Sequence, residues 1–199
     1  MNQLWDLLDG SGNIPIQLKE QAELITQTKE FPRKSLLISP GRVNENIFFI
    51  TKGTVRCYTL RVRPDSDDEQ EVDRSFLFEN DFIGSIYRYQ NHIPENQYVQ
   101  ALEPTTAIIA SIKQLDDTFQ QHPQFYKYFY NFWCRYTPRY ERISDMLRLP
   151  SAAERYQYIQ ETFPELIDKV PQKYLASFMG INETTLSKIK PKSHNNDEF

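Results

Sequence analysis

Apolar positions change their period several times along this chain. Over residues 1–29 they step at helical spacing, with Leu4, Leu7 and Leu8 on one stripe and Leu18, Ala22 and Ile25 near one face of a second segment, 16–28. From Phe31 the apolar runs shorten and turn residues cut them. Residues 35–39 end at Pro40-Gly41, a pair suited to a type II turn, and 46–51 (NIFFIT) end at Lys52-Gly53. Residues 54–62 alternate, 64–71 form a polar acidic loop, 72–78 resume a strand, and Asn80-Asp81 turns it. Residues 98–102 and 106–112 complete the set. Short strands at this spacing, punctuated by Gly and Pro, predict an antiparallel sandwich or barrel.

At Gln114 the helical period returns. Phe125, Phe129, Phe132, Tyr136, Tyr140, Ile143 and Leu147 follow steps of four, three, four, four, three and four. Such a seam predicts one long helix over 115–149 packed along its length, against a second copy of the chain or against its own β domain. Pro138 removes a backbone donor, so a bend or break is expected beside it. Pro150 marks a boundary. Ser151 can cap a new helix carrying Ala152, Tyr156 and Ile159, which stops near Pro164.

The last patterned stretch, 172–190, reads QKYLASFMGINETTLSKIK. Leu175, Ala176 and Met179 share one face of a short helix. Gly180 permits a tight turn, Ile181 plugs the space behind it, and Asn182 can cap a second helix buried through Leu186 and Ile189. A methyl group at Ala176 suits two helices crossing steeply. The pattern is that of a DNA-reading helix-turn-helix, the alternative being a plain helical hairpin. The chain thus divides into a β region with N-terminal helices (1–114), a long helix (115–149), a helix-turn-helix domain (150–192) and a polar tail (193–199) expected to be disordered.

The net charge of −4 over 199 residues gives no global basic field. From Arg148 to Ser193, seven Lys/Arg face five Asp/Glu, a local balance of +2, with Lys188, Lys190 and Lys192 together at the end of the second helix. Lysines there also complement the helix dipole, so charge alone decides nothing. Two distant cysteines, Cys57 and Cys134, make no disulfide framework and no CxxC pair. His92, His122 and His194 form no HxH or HExxH spacing, so no zinc or iron site is expected. No signal-like or membrane-spanning apolar run is present, and a cytoplasmic protein is expected.

A β-roll, a long apolar helix and a C-terminal helix-turn-helix, in that order, resemble the cyclic-AMP receptor/fumarate-nitrate regulator (Crp/Fnr) family. In front the resemblance rests on Pro40-Gly41, FFITKGTV (48–55) and Asn-Asp-Phe-Ile-Gly (80–84). Behind, it rests on SAAERYQYI (151–159) and LASFMGINETTLSKI (175–189). It implies an α+β fold: an antiparallel, cyclic-nucleotide-binding-like jelly roll, a dimerisation helix and a DNA-binding domain. It also implies a cytoplasmic homodimeric transcription regulator that binds double-stranded DNA and engages RNA polymerase, with no enzymatic activity.

Position by position, the resemblance implies base contacts from Glu183, Thr184 and Lys188. Lys188 can donate to guanine and Glu183 can accept from cytosine, although an acid in the first helical turn is also a dipole partner. Thr185, Ser187, Lys190 and Lys192 are candidates for the DNA backbone, as are Gln172 and Lys173 at the start of the first helix. Few residues follow the second helix, so no β-hairpin wing is expected and DNA contacts should be fewer. In the sensor region, cyclic-nucleotide binders carry Glu after the glycine that is Gly84 here, but this chain has Ser85. Their Arg-Ser phosphate pair is replaced by Glu95-Asn96. A carboxylate facing a phosphate at ~4 Å repels it by roughly 4 kcal/mol at an effective dielectric near 20.

Cyclic AMP is therefore disfavoured. An iron-sulfur centre lacks its cysteine ligands, haem has no recognisable motif, and no cofactor is predicted. Gly84, Ser85, Tyr87, Arg88, Asn96 and Tyr98 are candidates to line a pocket for an unknown effector, or else they simply complete the roll and its surface loop. Two other classes stand against DNA reading. One is a sensory or scaffold module of the same fold that no longer reads DNA. The other is a cupin-like enzyme, disfavoured because the β region has only His92 as a transition-metal ligand of that kind.

Overall fold

The computed structural model describes residues 2–9, 14–62 and 67–190, with the side chains of 2, 9, 131, 132 and 135 outside the description. The chain divides into two compact units, Met1–Pro138 and Arg139–Phe199. The first holds α1 (Asn2–Asp9), α2 (Ile16–Leu24), β1 (Thr26–Phe31), β2 (Leu36–Ile38), β3 (Asn46–Lys52), β4 (Val55–Val62), β5 (Glu69–Leu77) and β6 (Phe82–Ile83). It continues with α3 (Ile86–Gln90), β7 (Tyr98–Ala101), β8 (Thr105–Ser111), α4 (Ile112–Gln121) and α5 (Phe125–Tyr136). The second holds α6 (Pro138–Arg148), α7 (Ala152–Thr162), α8 (Pro164–Lys169), α9 (Gln172–Met179) and α10 (Glu183–Ile189).

The strands form two four-stranded sheets, ordered β1-β8-β3-β6 and β2-β7-β4-β5, and the strand pairs are antiparallel. Between the sheets lies a core to which each strand contributes, with Phe31, Ile38, Phe48, Val55, Leu77, Ile83, Val99 and Ile109 among its members. The first sheet is buried on its other face too. There Phe49 and Ile108 pack with Leu4, Trp5, Leu18, Phe119 and Phe125 from the helices. That double burial explains why β3 and β8 read as unbroken apolar runs rather than as an alternation. Each such large side chain removed from water contributes on the order of 1.5–3 kcal/mol. Gly53 ends β3 at φ +101°, and a Cβ there would lie 2.6 Å from Thr105 Oγ1 and 2.9 Å from the Pro104 carbonyl oxygen.

The mixed α and β architecture with antiparallel sheets is as the sequence predicts, but several elements differ. Residues 26–28, expected as helix, belong to β1, which pairs from Thr26↔Ala110 to Phe31↔Thr105. Only Phe31 of that strand is buried, so its pairing is carried by the backbone and leaves no apolar alternation to see. The rod expected over 115–149 is three helices. Pro123 disfavours helical geometry at the preceding residue, and His122 sits at φ −130°, ψ 73°. The second interruption falls at Thr137, beside Pro138 as expected; Thr137 keeps helical angles (φ −56°, ψ −39°) and donates its N–H to Trp133 O at 3.0 Å. Pro164 does not merely stop α7. It opens α8 from the first helical position, where a missing N–H costs nothing.

Candidate functional site

In the second unit, Ser151 and Glu154 form a reciprocal capping box at the start of α7. Arg155, one turn along, donates from Nε to Leu149 O (3.0 Å) and from Nη1 to Met179 O (2.9 Å), tying α7 to the end of α9. The one sequence signal for Arg155 is its place, a lone cation following a cap at the head of an amphipathic helix. The α9–α10 turn closes as a Schellman motif. Gly180 is left-handed (φ 69°, ψ 31°) and donates to Ser177 O at 3.0 Å, while Ile181 N–H returns to Ala176 O at 3.0 Å. Asn182 Oδ1 accepts from Thr185 N at 2.8 Å and from the Thr184 hydroxyl at 2.7 Å.

Leu175, Ala176, Phe178, Met179 and Leu186 are buried, and α9 and α10 pack on one another and on α7. The opposite side of α10 is open: Glu183, Thr184, Ser187 and Lys188 are exposed, with Thr185 and Lys190 half-buried. One face therefore carries every candidate base contact. Thr184 has a prior engagement, because its hydroxyl supports the Asn182 cap. Gln172 and Lys173 are exposed at the start of α9, no side chain caps that helix, and the Lys173 ammonium lies 4.9 Å from the Tyr174 ring centroid. Lys192 and the expected tail, 193–199, lie outside the described residues.

The sensor candidates are brought together only in part. Gly84 has φ +137°, and a Cβ on it would meet Asn46 O at 2.9 Å. Ser85 caps α3 by accepting from Arg88 N at 3.2 Å. Arg88 donates to Pro94 O (2.7 Å) and Asn96 Oδ1 (3.0 Å), and its Nε stands 3.7 Å from Glu95 Oε2. Glu95 is buried and that oxygen has no hydrogen-bond partner. Burial pushes the Glu95 carboxyl above its usual value, with Arg88 pulling the other way. Tyr87, on α3, is 69 % exposed. Tyr98 instead stacks on Tyr58 at 4.9 Å, beneath the Arg56 guanidinium, which lies 4.0 Å from the Tyr58 ring centroid. The buried Arg56, paired with Glu71 (2.6 Å) and Asp73 (3.5 Å), was not singled out from sequence. No group of His, Cys, Asp and Glu among the described residues is arranged to hold a metal, and no described helix is long and apolar enough to cross a membrane.

The seam, which the sequence offers to a second copy or to the chain's own β domain, is divided between buried and exposed positions. Phe125 is buried in the first unit's own core, Phe129 packs on that core, and Tyr136 packs on the inter-sheet core while donating its hydroxyl to Phe82 O at 3.2 Å. The side chain of Phe132 lies outside the described residues. On α5 the outward aromatic positions are Tyr126, Tyr130 and Trp133, four and three residues apart; on α6 they are Tyr140 and Leu147, with Ile143 half-buried. Phe125, Phe129 and Tyr136 thus face the first unit's own core, the alternative that the sequence offered.

No family model matches the chain, and no curated protein does either. Its likenesses are in three dimensions. CLP of Xanthomonas campestris, a c-di-GMP-responsive global regulator, superposes with a TM-score of 0.67 at 14% identity over 88% of this chain and 89% of its own. A CooA variant from Carboxydothermus hydrogenoformans gives 0.60 at 18% identity over 94% and 81%. The catabolite activator protein of Thermus thermophilus gives 0.52 at 13% identity over 92% and 84%. The fold is that of Crp/Fnr-type regulators. At these identities the likeness to Crp/Fnr-type regulators is one of fold.

Proposed function

We propose that this chain is a homodimeric, sequence-specific DNA-binding transcription regulator that does not respond to cyclic AMP. The observation that carries this reading is the α9–α10 pair: a closed turn, a capped second helix, a buried rear face and an exposed front of Glu183, Thr184, Ser187 and Lys188. A helix presented in this way fits the major groove, with Lys188 placed to donate to a base edge and Thr185, Lys190, Gln172 and Lys173 to phosphates. Two copies would set two such helices about 34 Å apart. The exposed aromatics of α5 supply the pairing surface, and Glu95 in place of a phosphate-binding cation accounts for the lost response to cyclic AMP. The protein acts in the cytoplasm with RNA polymerase as its partner.

Selection of bound sequences from random DNA tests the reading. A palindromic motif bound in the nanomolar range, weakening steeply as salt rises, is expected. Recovery of no preference would overturn it. The second reading, a sensor or scaffold that no longer binds DNA, is favoured by the net charge of −4. Lys188→Glu combined with Lys190→Glu separates the two, since only a DNA reader loses its measurable function.

A further inference from the structure

The first unit contains a partly enclosed cavity of about 80 Å³ whose lining includes no residue of α3 and neither Glu95 nor Asn96. Its floor is the helix-facing side of the first sheet, through Phe49 and Ile108. Trp5 of α1, Phe119 of α4 and Phe125 of α5 close over it. Space remains because Ala22 of α2 and Ala110 of β8 present only methyl groups where larger side chains surround them. No lining residue is charged, and the side-chain polar atoms are the hydroxyls of Thr26 and Tyr128 together with the Trp5 indole nitrogen.

Such a lining selects its occupant. An ordered water needs two to four polar partners, which this wall is poorly equipped to supply, and a charged ligand would be desolvated without a counter-charge. A neutral hydrocarbon surface loses nothing there and restores the dispersion contacts that the wall atoms lack. We propose that this cavity is a binding site for a small, neutral, hydrocarbon-like molecule, between a xenon atom and a short alkyl chain in size. Occupancy braces α1 and α5 against the sheet, so it stiffens the helix that leads to Pro138. The site stands independently of whether α10 reads DNA.

Xenon NMR on the full chain tests it, with n-pentane and butyrate as competitors. A saturable xenon shift is expected that pentane displaces and butyrate does not. Pentane at tenfold excess over its Kd should raise the thermal midpoint of the first unit by about 3–5 °C. Ala22→Leu and Ala110→Leu each fill the space and should abolish the xenon shift while leaving the midpoint unchanged or higher. If Ala110→Leu fails to fold, Ala22→Leu on the helical side still decides the matter. No saturable shift in the unaltered protein, competition by butyrate equal to that of pentane, or a shift that survives in a folded filled variant would each overturn the proposal.

Discussion

Glu95 is a buried carboxyl whose Oε2 has no hydrogen-bond partner. Its folded-state pKa is raised above the ordinary 4.5 by burial, so the native chain holds this proton more tightly than the unfolded chain does. Any stability that it contributes is fully present below the unfolded value and is lost as pH climbs through the folded one. Glu95→Gln keeps the neutral form and leaves Arg88 its bonds to Pro94 and Asn96. Its thermal midpoint should exceed that of the unaltered protein at neutral pH, and the gap should close on acidification toward 4.5; a gap that widened would contradict this account. The two cysteines offer a second check at the same scale. Burial pushes the Cys57 thiol up to about 11, whereas Cys134 is exposed. At neutral pH a thiol reagent should therefore titrate one cysteine in the native state and two after denaturation.

At the scale of elements, two glycines differ instructively. Both are left-handed, but a Cβ at Gly180 meets nothing nearer than Arg155 Nη1 at 3.7 Å, while one at Gly53 strikes Thr105 and Pro104. Gly180→Ala should cost about 1–2 kcal/mol, the conformational term alone. Gly53→Ala should cost roughly 2–6 kcal/mol, because steric overlap with backbone adds to it. Denaturant titration followed separately for each unit measures both. The same contrast shows what the sequence could tell. The α9–α10 turn was legible because its determinants are local: Gly180, Asn182 and the apolar face lie within a few residues of one another. The β1 strand was not, because TQTKEF has no apolar alternation and pairs with residues some eighty positions away. The break at His122 was legible in principle from Pro123, but the regular aromatic period that begins directly after it, at Phe125, concealed it.

For the whole molecule, periodicity gave the stripe but not the side on which it lies. Phe125, Phe129 and Tyr136 satisfy themselves within their own unit, and nothing in a four-three repeat distinguishes a partner's surface from a neighbouring sheet. The proposed pairing of two chains would then fall to the outward positions, Tyr126, Tyr130 and Trp133. Tyr130→Ala with Trp133→Ala should shift sedimentation toward the monomer and leave the unfolding midpoint nearly unchanged, since both side chains are at least half exposed. A dimer that persisted would move the pairing surface elsewhere. Changes of period mark where strands give way to helices, whereas none of them marks the residues that line the cavity. The cavity is walled by residues from α1, α2, both long strands of the first sheet and α5, which no local window brings together.

That placement has a practical corollary in the two tryptophans. Trp5 is 5 % exposed at the cavity wall, and Trp133 is 50 % exposed on the outer side of α5. Their emission should separate into a blue, quencher-resistant band and a red band that iodide extinguishes. A single cuvette then reports on the interior through one indole and on the exterior through the other, without a label or a mutation.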